Sequence, residues 1–108
     1  MHQVSKSSWK ELTAPVLACE LPLSIEGICK RHKFKFFEYE ECGLGSLLGV
    51  VIQINESLFW LMSPVEQSEI GVCVYLRSFE PSKAQAIANL LKKLNIEVSK
   101  LVWLNNEI

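Results

Sequence analysis

The segment Leu58-Phe59-Trp60-Leu61-Met62 carries an apolar side chain at every position, and residues 47–54 come close to doing the same. A strand sends successive side chains to opposite faces, so such runs cannot sit in a sheet that meets water on one side without exposing large apolar groups. Both belong in a sheet whose first face packs under helices and whose second face meets something apolar. That cover is either a partner chain or another segment of the same chain, with residues 23–32 and an N-terminal helix as the internal candidates. Asn55-Glu56 joins the two runs and is short enough for a tight hairpin, although it lacks the preferred Asn-Gly.

The rest of the chain is arranged around this pair. Ser8-Trp9-Lys10-Glu11 fits a capping box that opens a first helix, which Pro15 shortens, kinks or restarts and which ends by Pro22. Residues 23–32 have helical spacing at Ile25, Ile28 and Cys29 with Ser24 as cap, while Gly27 weakens a helix; the reading is a short helix. From Lys33 the period becomes two, through Phe34 and Phe36 and then Phe37 and Tyr39, and the change of phase predicts a bulged strand. A turn at residues 41–45 returns it to the hairpin, and residues 71–77 form a further strand rich in β-branched residues. Pro81 opens a helix with Ala84, Ile87, Ala88, Leu91 and Leu94 on its apolar face and Asn95 at its end, followed by a strand at 100–104. The expected fold is α+β, a mainly antiparallel five-stranded sheet with an N-terminal helix and a C-terminal β-α-β unit, in one domain over residues 1–108.

Composition narrows the chemistry. Hydrophobic residues are 49% and charged ones 21%, a balance suited to a packed globule, and the net charge is −1. All twelve acidic residues are Glu, which removes the raw material for Asp-centred calcium loops, kinase-type metal sites and aspartic dyads. No apolar run reaches the ~20 residues of a spanning helix, and the start of the chain leads into no signal core, so a cytoplasmic protein without a membrane span is expected. Cys19, Cys29, Cys42 and Cys73 are unevenly spaced and mostly within apolar segments, which reads as reduced thiols.

Each candidate chemistry is incomplete. Cys29, His32 and Cys42 would supply three zinc ligands without a fourth, and Cys42 with His32 would make a nucleophile and base with no Asp to orient them. The glycines at 43, 45 and 49 match neither a dinucleotide fingerprint nor a P-loop. Residues 30–37 mix basic and aromatic side chains as single-strand binders do, but Glu38, Glu40 and Glu41 follow at once, and a near-neutral chain lacks the field that drives nucleic-acid binding. No catalytic set, metal site or cofactor is assigned, and nucleic acid is not an expected partner.

What remains is a non-enzymatic protein-binding module, with a small-ligand pocket and a cysteine-dependent enzyme as alternatives. Trp9, Trp60, Trp103 and Tyr75 supply aromatic anchors of the kind that dominate interfaces. The expected contact set is Phe59, Trp60 and Tyr75 on the sheet, rimmed by Glu38, Glu40 and Glu41. The two-sided apolarity of 58–62 also suggests a homodimer. In size, class and want of enzyme motifs, the whole chain resembles bacterial toxin-immunity proteins of the contact-dependent inhibition type. The resemblance is one of profile, with no residue motif, and it implies stoichiometric occlusion of a toxin domain. The near-neutral charge departs from the strongly acidic surfaces of many nuclease inhibitors.

Overall fold

A computed structural model describes residues 1–5, 14–41, 43, 45–67 and 71–108, excluding the side chains of Glu41 and Gln67. The capping box at Ser8, the anchor candidate Trp9 and Cys42 lie outside the described residues.

The hairpin is present and organises the sheet. Strands β4 (Gly45–Ile54) and β5 (Ser57–Pro64) pair from Leu47↔Pro64 to Ile54↔Ser57, and Asn55 turns the corner at φ 56, a left-handed conformation Asn tolerates. Strand β6 (Val72–Leu76) pairs with β5, strand β2 (Val16–Leu21) with β6, and β7 (Trp103–Leu104) with β2. The other edge of β4 is shared: β3 (Phe37–Glu41) takes its first half and β1 (His2–Gln3) its end. Gln3 bridges the gap between them, its side-chain amide donating to Lys35 O at 2.5 Å and its Oε1 accepting from Lys35 N at 2.9 Å.

All pairings are antiparallel, and the described sheet has seven strands where five were expected. Residues 16–21 are strand, not a helix restarted at Pro15, because β6 and β7 pair with both of their edges. A bulge does occur, at Ala18 between Leu17 and Cys19. The one expected at Phe36-Phe37 is absent, and β3 pairs with β4 in continuous register. The C-terminal unit is a β-α-β in which β6 and β7 run parallel but with β2 inserted between them, and its last strand shrinks from 100–104 to two residues after a 3₁₀ turn at Val98–Lys100.

Helix α1 (Ile25–His32) confirms the helical reading of 23–32: Ser24 Oγ accepts from Gly27 N at 3.0 Å, and Lys33 stops the helix in the left-handed conformation. The same stop explains the misread period. Phe34 N returns to Cys29 O at 2.9 Å, so Phe34 tucks into the core, while Phe36 is left exposed. Helix α2 (Lys83–Leu94) is capped by Ser82 and ended by Asn95. It buries Ala86, Ile87, Leu90, Leu91 and Leu94, whereas Ala84 and Ala88 are exposed. The stripe is rotated from the expected one because a buried Leu90 removes more apolar area from water than Ala88 would. Among the described residues no helix is long and apolar enough to cross a membrane.

Both helices lie on one face, over Val50, Ile52, Phe59, Leu61, Val72 and Val74. The second face is also covered within the single chain. Leu47, Val51, Leu58 and Met62 are buried there, Val51 and Leu58 with Val4 and Trp60 packed on them. The apolarity that suggested a homodimer is thus satisfied internally, and α1 is not the cover, since it sits on the first face. Across the second face runs a ladder of rings: Phe37 to Tyr39 at 5.8 Å, Tyr39 to Trp60 at 6.3 Å and Trp60 to Tyr75 at 5.2 Å between centroids.

The ladder crosses β4 at Gly49, where a Cβ would stand 3.0 Å from Tyr39 Cε1 and 3.5 Å from Phe37 Cε2. Gly49→Val is expected to destabilise the fold by about 1–3 kcal/mol through overpacking, despite the better strand propensity of valine. Thermal melts check this: a melting temperature equal to or above that of the parent would show that the rings do not need the space.

Candidate functional site

The structure separates the six residues expected to act together. Phe59 is fully buried under the helices and cannot meet a partner, because its neighbours in β5 alternate and it takes the helix-facing side. Trp60 and Tyr75 lie on the second face, half-buried in the ring ladder. Glu38 and Glu40 are exposed on β3, on the face opposite to Phe37 and Tyr39, while Glu41 pairs with Gly45 at the strand end. Glu38 and Glu40 share that face because they stand two residues apart in the strand.

Among the described residues, a cluster of exposed apolar side chains lies at the far edge of the sheet. Val98, Val102, Trp103 and Leu104 are 60%, 57%, 44% and 37% exposed, all within seven residues of chain. Asn105 holds this segment in place: its Nδ2 donates to Leu17 O at 2.9 Å, its backbone N donates to Ala18 O at 2.9 Å, and its Oδ1 accepts from Glu107 N at 2.9 Å. Beside it, a groove of about 200 Å³ opens between α2 and the C-terminal segment, lined by Ala84, Ala88, Leu91, Val98, Leu104 and Ile108. The two alanines that the helical pattern assigned to the core line this groove instead. The sequence supplies Trp103 as an aromatic anchor and residues 100–104 as a strand, without its position in the sheet. The clue available was the polar run of Asn105, Asn106 and Glu107 just beyond them, which marks the strand as short.

A second concavity, of about 580 Å³, lies where the β4–β5 turn meets the start of α2. Its base is an ion pair: Arg77 Nε donates to Glu80 Oε1 at 2.9 Å, Arg77 Nη2 also reaches Glu80 Oε1, and Ser57 Oγ donates to Glu80 Oε2 at 3.1 Å. Arg77 Nη2 donates in addition to Glu56 O at 2.8 Å. Glu80 is buried, and these bonds supply the partners that a buried charge requires.

The described thiols are tuned away from nucleophilic work. Burial, with a contribution from Cys73, pushes the Cys19 thiol up to about 12, and burial with Glu26 pushes Cys29 up to about 11. Burial and then Glu20 also raise Cys73. Reactive thiolates need a shift in the other direction. Among the described residues no three His, Cys or Glu side chains converge as a metal site. Comparison of the chain with protein-family models, with curated proteins and with solved structures returns no match.

Native alkylation by iodoacetamide near pH 8, mapped by mass spectrometry, should leave the buried Cys19 and Cys29 unmodified until denaturant is added. A thiol near 11 holds about a hundredth of the thiolate of an ordinary one at that pH, before its burial is counted. Rapid native labelling of Cys19 or Cys29 would contradict the burial.

His32 offers a pH-dependent readout. Its ring stacks on Phe34 at 5.8 Å, and its buried Nε2 meets no hydrogen-bond partner among the described residues. Burial, then Arg31 and the N-terminal amine, lower its pKa from the ordinary 6.5. The folded state therefore binds this proton less readily than the unfolded chain, so the contribution of neutral His32 is present above about pH 6.5 and is lost as the pH falls below it. Melting temperatures between about pH 7.5 and 5.5 should decline more for the parent than for His32→Gln, which cannot take up the proton; parallel declines would show that the imidazole is solvated.

Proposed function

We propose that this chain is a non-enzymatic protein-binding module that acts by stoichiometric occlusion, as the profile resemblance to bacterial toxin-immunity proteins implies, and that its contact surface is the β7 edge. The observation that supports this is the exposed run Val98, Val102, Trp103 and Leu104 on a segment pinned to β2. Single exposed apolar residues are ordinary, but here they surround an exposed tryptophan, a residue type enriched at interface hot spots, on a braced strand. Rigidity lowers the ordering cost of association.

This location revises the expected contact set. Phe59 is excluded by its burial, and Glu38 and Glu40 lie on the edge opposite to β7 in the strand order, so they are not the rim of this surface. Trp60 and Tyr75 retain only a supporting role, as parts of the ring ladder.

The test is calorimetry with the partner recovered by crosslinking in the native host and then purified. A one-to-one complex is expected. Trp103→Ala should weaken it by about 2 kcal/mol or more while leaving the thermal melt unchanged, and Glu40→Lys should leave the affinity unaltered. An affinity loss with Glu40→Lys and none with Trp103→Ala would place the interface on β3, and substrate turnover abolished by Cys42→Ser with the fold intact would replace the binding reading with an enzymatic one.

A further inference from the structure

We infer that the concavity between the β4–β5 turn and the N-terminal part of α2 is a binding site for a neutral saccharide. This goes beyond the protein-binding reading and uses none of the β7 residues. At about 580 Å³ the space falls in the range that accommodates small ligands.

Three features specify the ligand chemistry. The first is an aromatic ring held at the mouth: Phe79 is 63% exposed, more than any other large apolar side chain among the described residues. It is not a loose side chain, because the Arg77 guanidinium carbon sits 5.0 Å from its ring centroid and that guanidinium is fixed by Glu80 and Glu56 O. The second is a set of carboxamides around the wall, Asn55, Gln85 and Asn89. Gln85 Nε2 donates to Asn89 Oδ1 at 3.0 Å, an arrangement that orients both groups and leaves Gln85 Oε1 as an acceptor and Asn89 Nδ2 as a donor. The third is the charge balance. Among the described residues the charged side chains of the lining are Glu56, Arg77 and Glu80, and with Arg77 paired to Glu80 none of them is an uncompensated cation.

The lining offers a phosphate or carboxylate no uncompensated cation, only the backbone amides at the start of α2, and the Glu56 carboxylate opposes an anion. A sugar needs what the lining does offer. The hydroxyl groups of a pyranose donate and accept at once, matching carboxamides that do the same, and the apolar C–H face of the ring packs on an aromatic surface. The Arg77–Glu80 pair ties the turn to the segment before α2, and Asn55 from the turn lines the same space as Gln85 and Asn89 from the helix.

The experiment is a titration of the isotopically labelled full chain, followed by amide chemical shifts, with the methyl glycosides of glucose, galactose, mannose and N-acetylglucosamine, and with AMP as a charged planar comparison. Saturable shifts with at least one glycoside, confined to residues 55–57, 79–82 and 85–89, are the expected result. Phe79→Ala should weaken binding by about tenfold with an unchanged melt, as the ring is largely exposed. Asn89→Ala provides an independent second loss. The inference is overturned if no glycoside gives saturable shifts in these residues, if AMP saturates the site and the glycosides do not, or if binding persists undiminished in both variants. None of these outcomes depends on Trp103, so failure here leaves the protein-binding reading standing, and the reverse also holds.

Discussion

Because β4 and β5 bury apolar side chains on both faces, each face of the sheet has to be closed, and most of the architecture follows from how that is done. On one side the cover is α1 and α2 together, whose apolar stripes meet Val50, Ile52, Phe59 and Leu61. On the other, Val4 and Trp60 close over Val51 and Leu58, and a ladder of four rings spans β3 to β6 above Gly49. Removing a side chain at position 49 is what lets rings from an edge strand reach those of the sheet centre, so one residue without a Cβ joins three strands into a packed surface.

That closure also sets where chemistry is available. With both faces covered at the centre, exposed apolar groups are pushed to the margin, and β7 is the margin: a two-residue strand flanked by a 3₁₀ turn and braced by Asn105. At one end of the sheet the Arg77–Glu80 pair, with Ser57 and Glu56 O as further partners, ties the hairpin to the segment preceding α2. A charge pair in such a place adds little net stability, but it holds two elements in one geometry, and it leaves Arg77 compensated at the base of the cleft.

Local physics accounts for what could be read in advance. Ser24 was a recognisable cap, Asn95 a recognisable stop, and the two-residue Asn55-Glu56 turn followed from the runs on either side, whereas the Ser82 cap was passed over for Pro81. The misreadings share a cause. Residues 16–21 carry no strong local preference after Pro15, and they are strand because β6 and β7 offer edges to pair with. Phe34 and Phe36 imitate strand alternation, yet the left-handed Lys33 breaks the chain before them and sends Phe34 into the core. The phase of α2 was misjudged because alanine and leucine fit one helical spacing, and only the volume available over the sheet chooses between them.

The candidate sites divide along the same line. Sequence alone determined that this is an α+β chain with a two-sided apolar hairpin, since periodicity, caps and turn residues act within a few positions of one another. Tertiary structure decided which aromatic residues are available. Phe59 and Trp60 are adjacent and equally apolar in sequence, but one lies beneath the helices and the other in the ring ladder. Trp103 is exposed because its strand is at the edge, and Phe79 because Arg77 is held by Glu80 and a backbone carbonyl from the opposite turn. Exposure is a property of what packs across from a residue, and those neighbours come from distant parts of the chain.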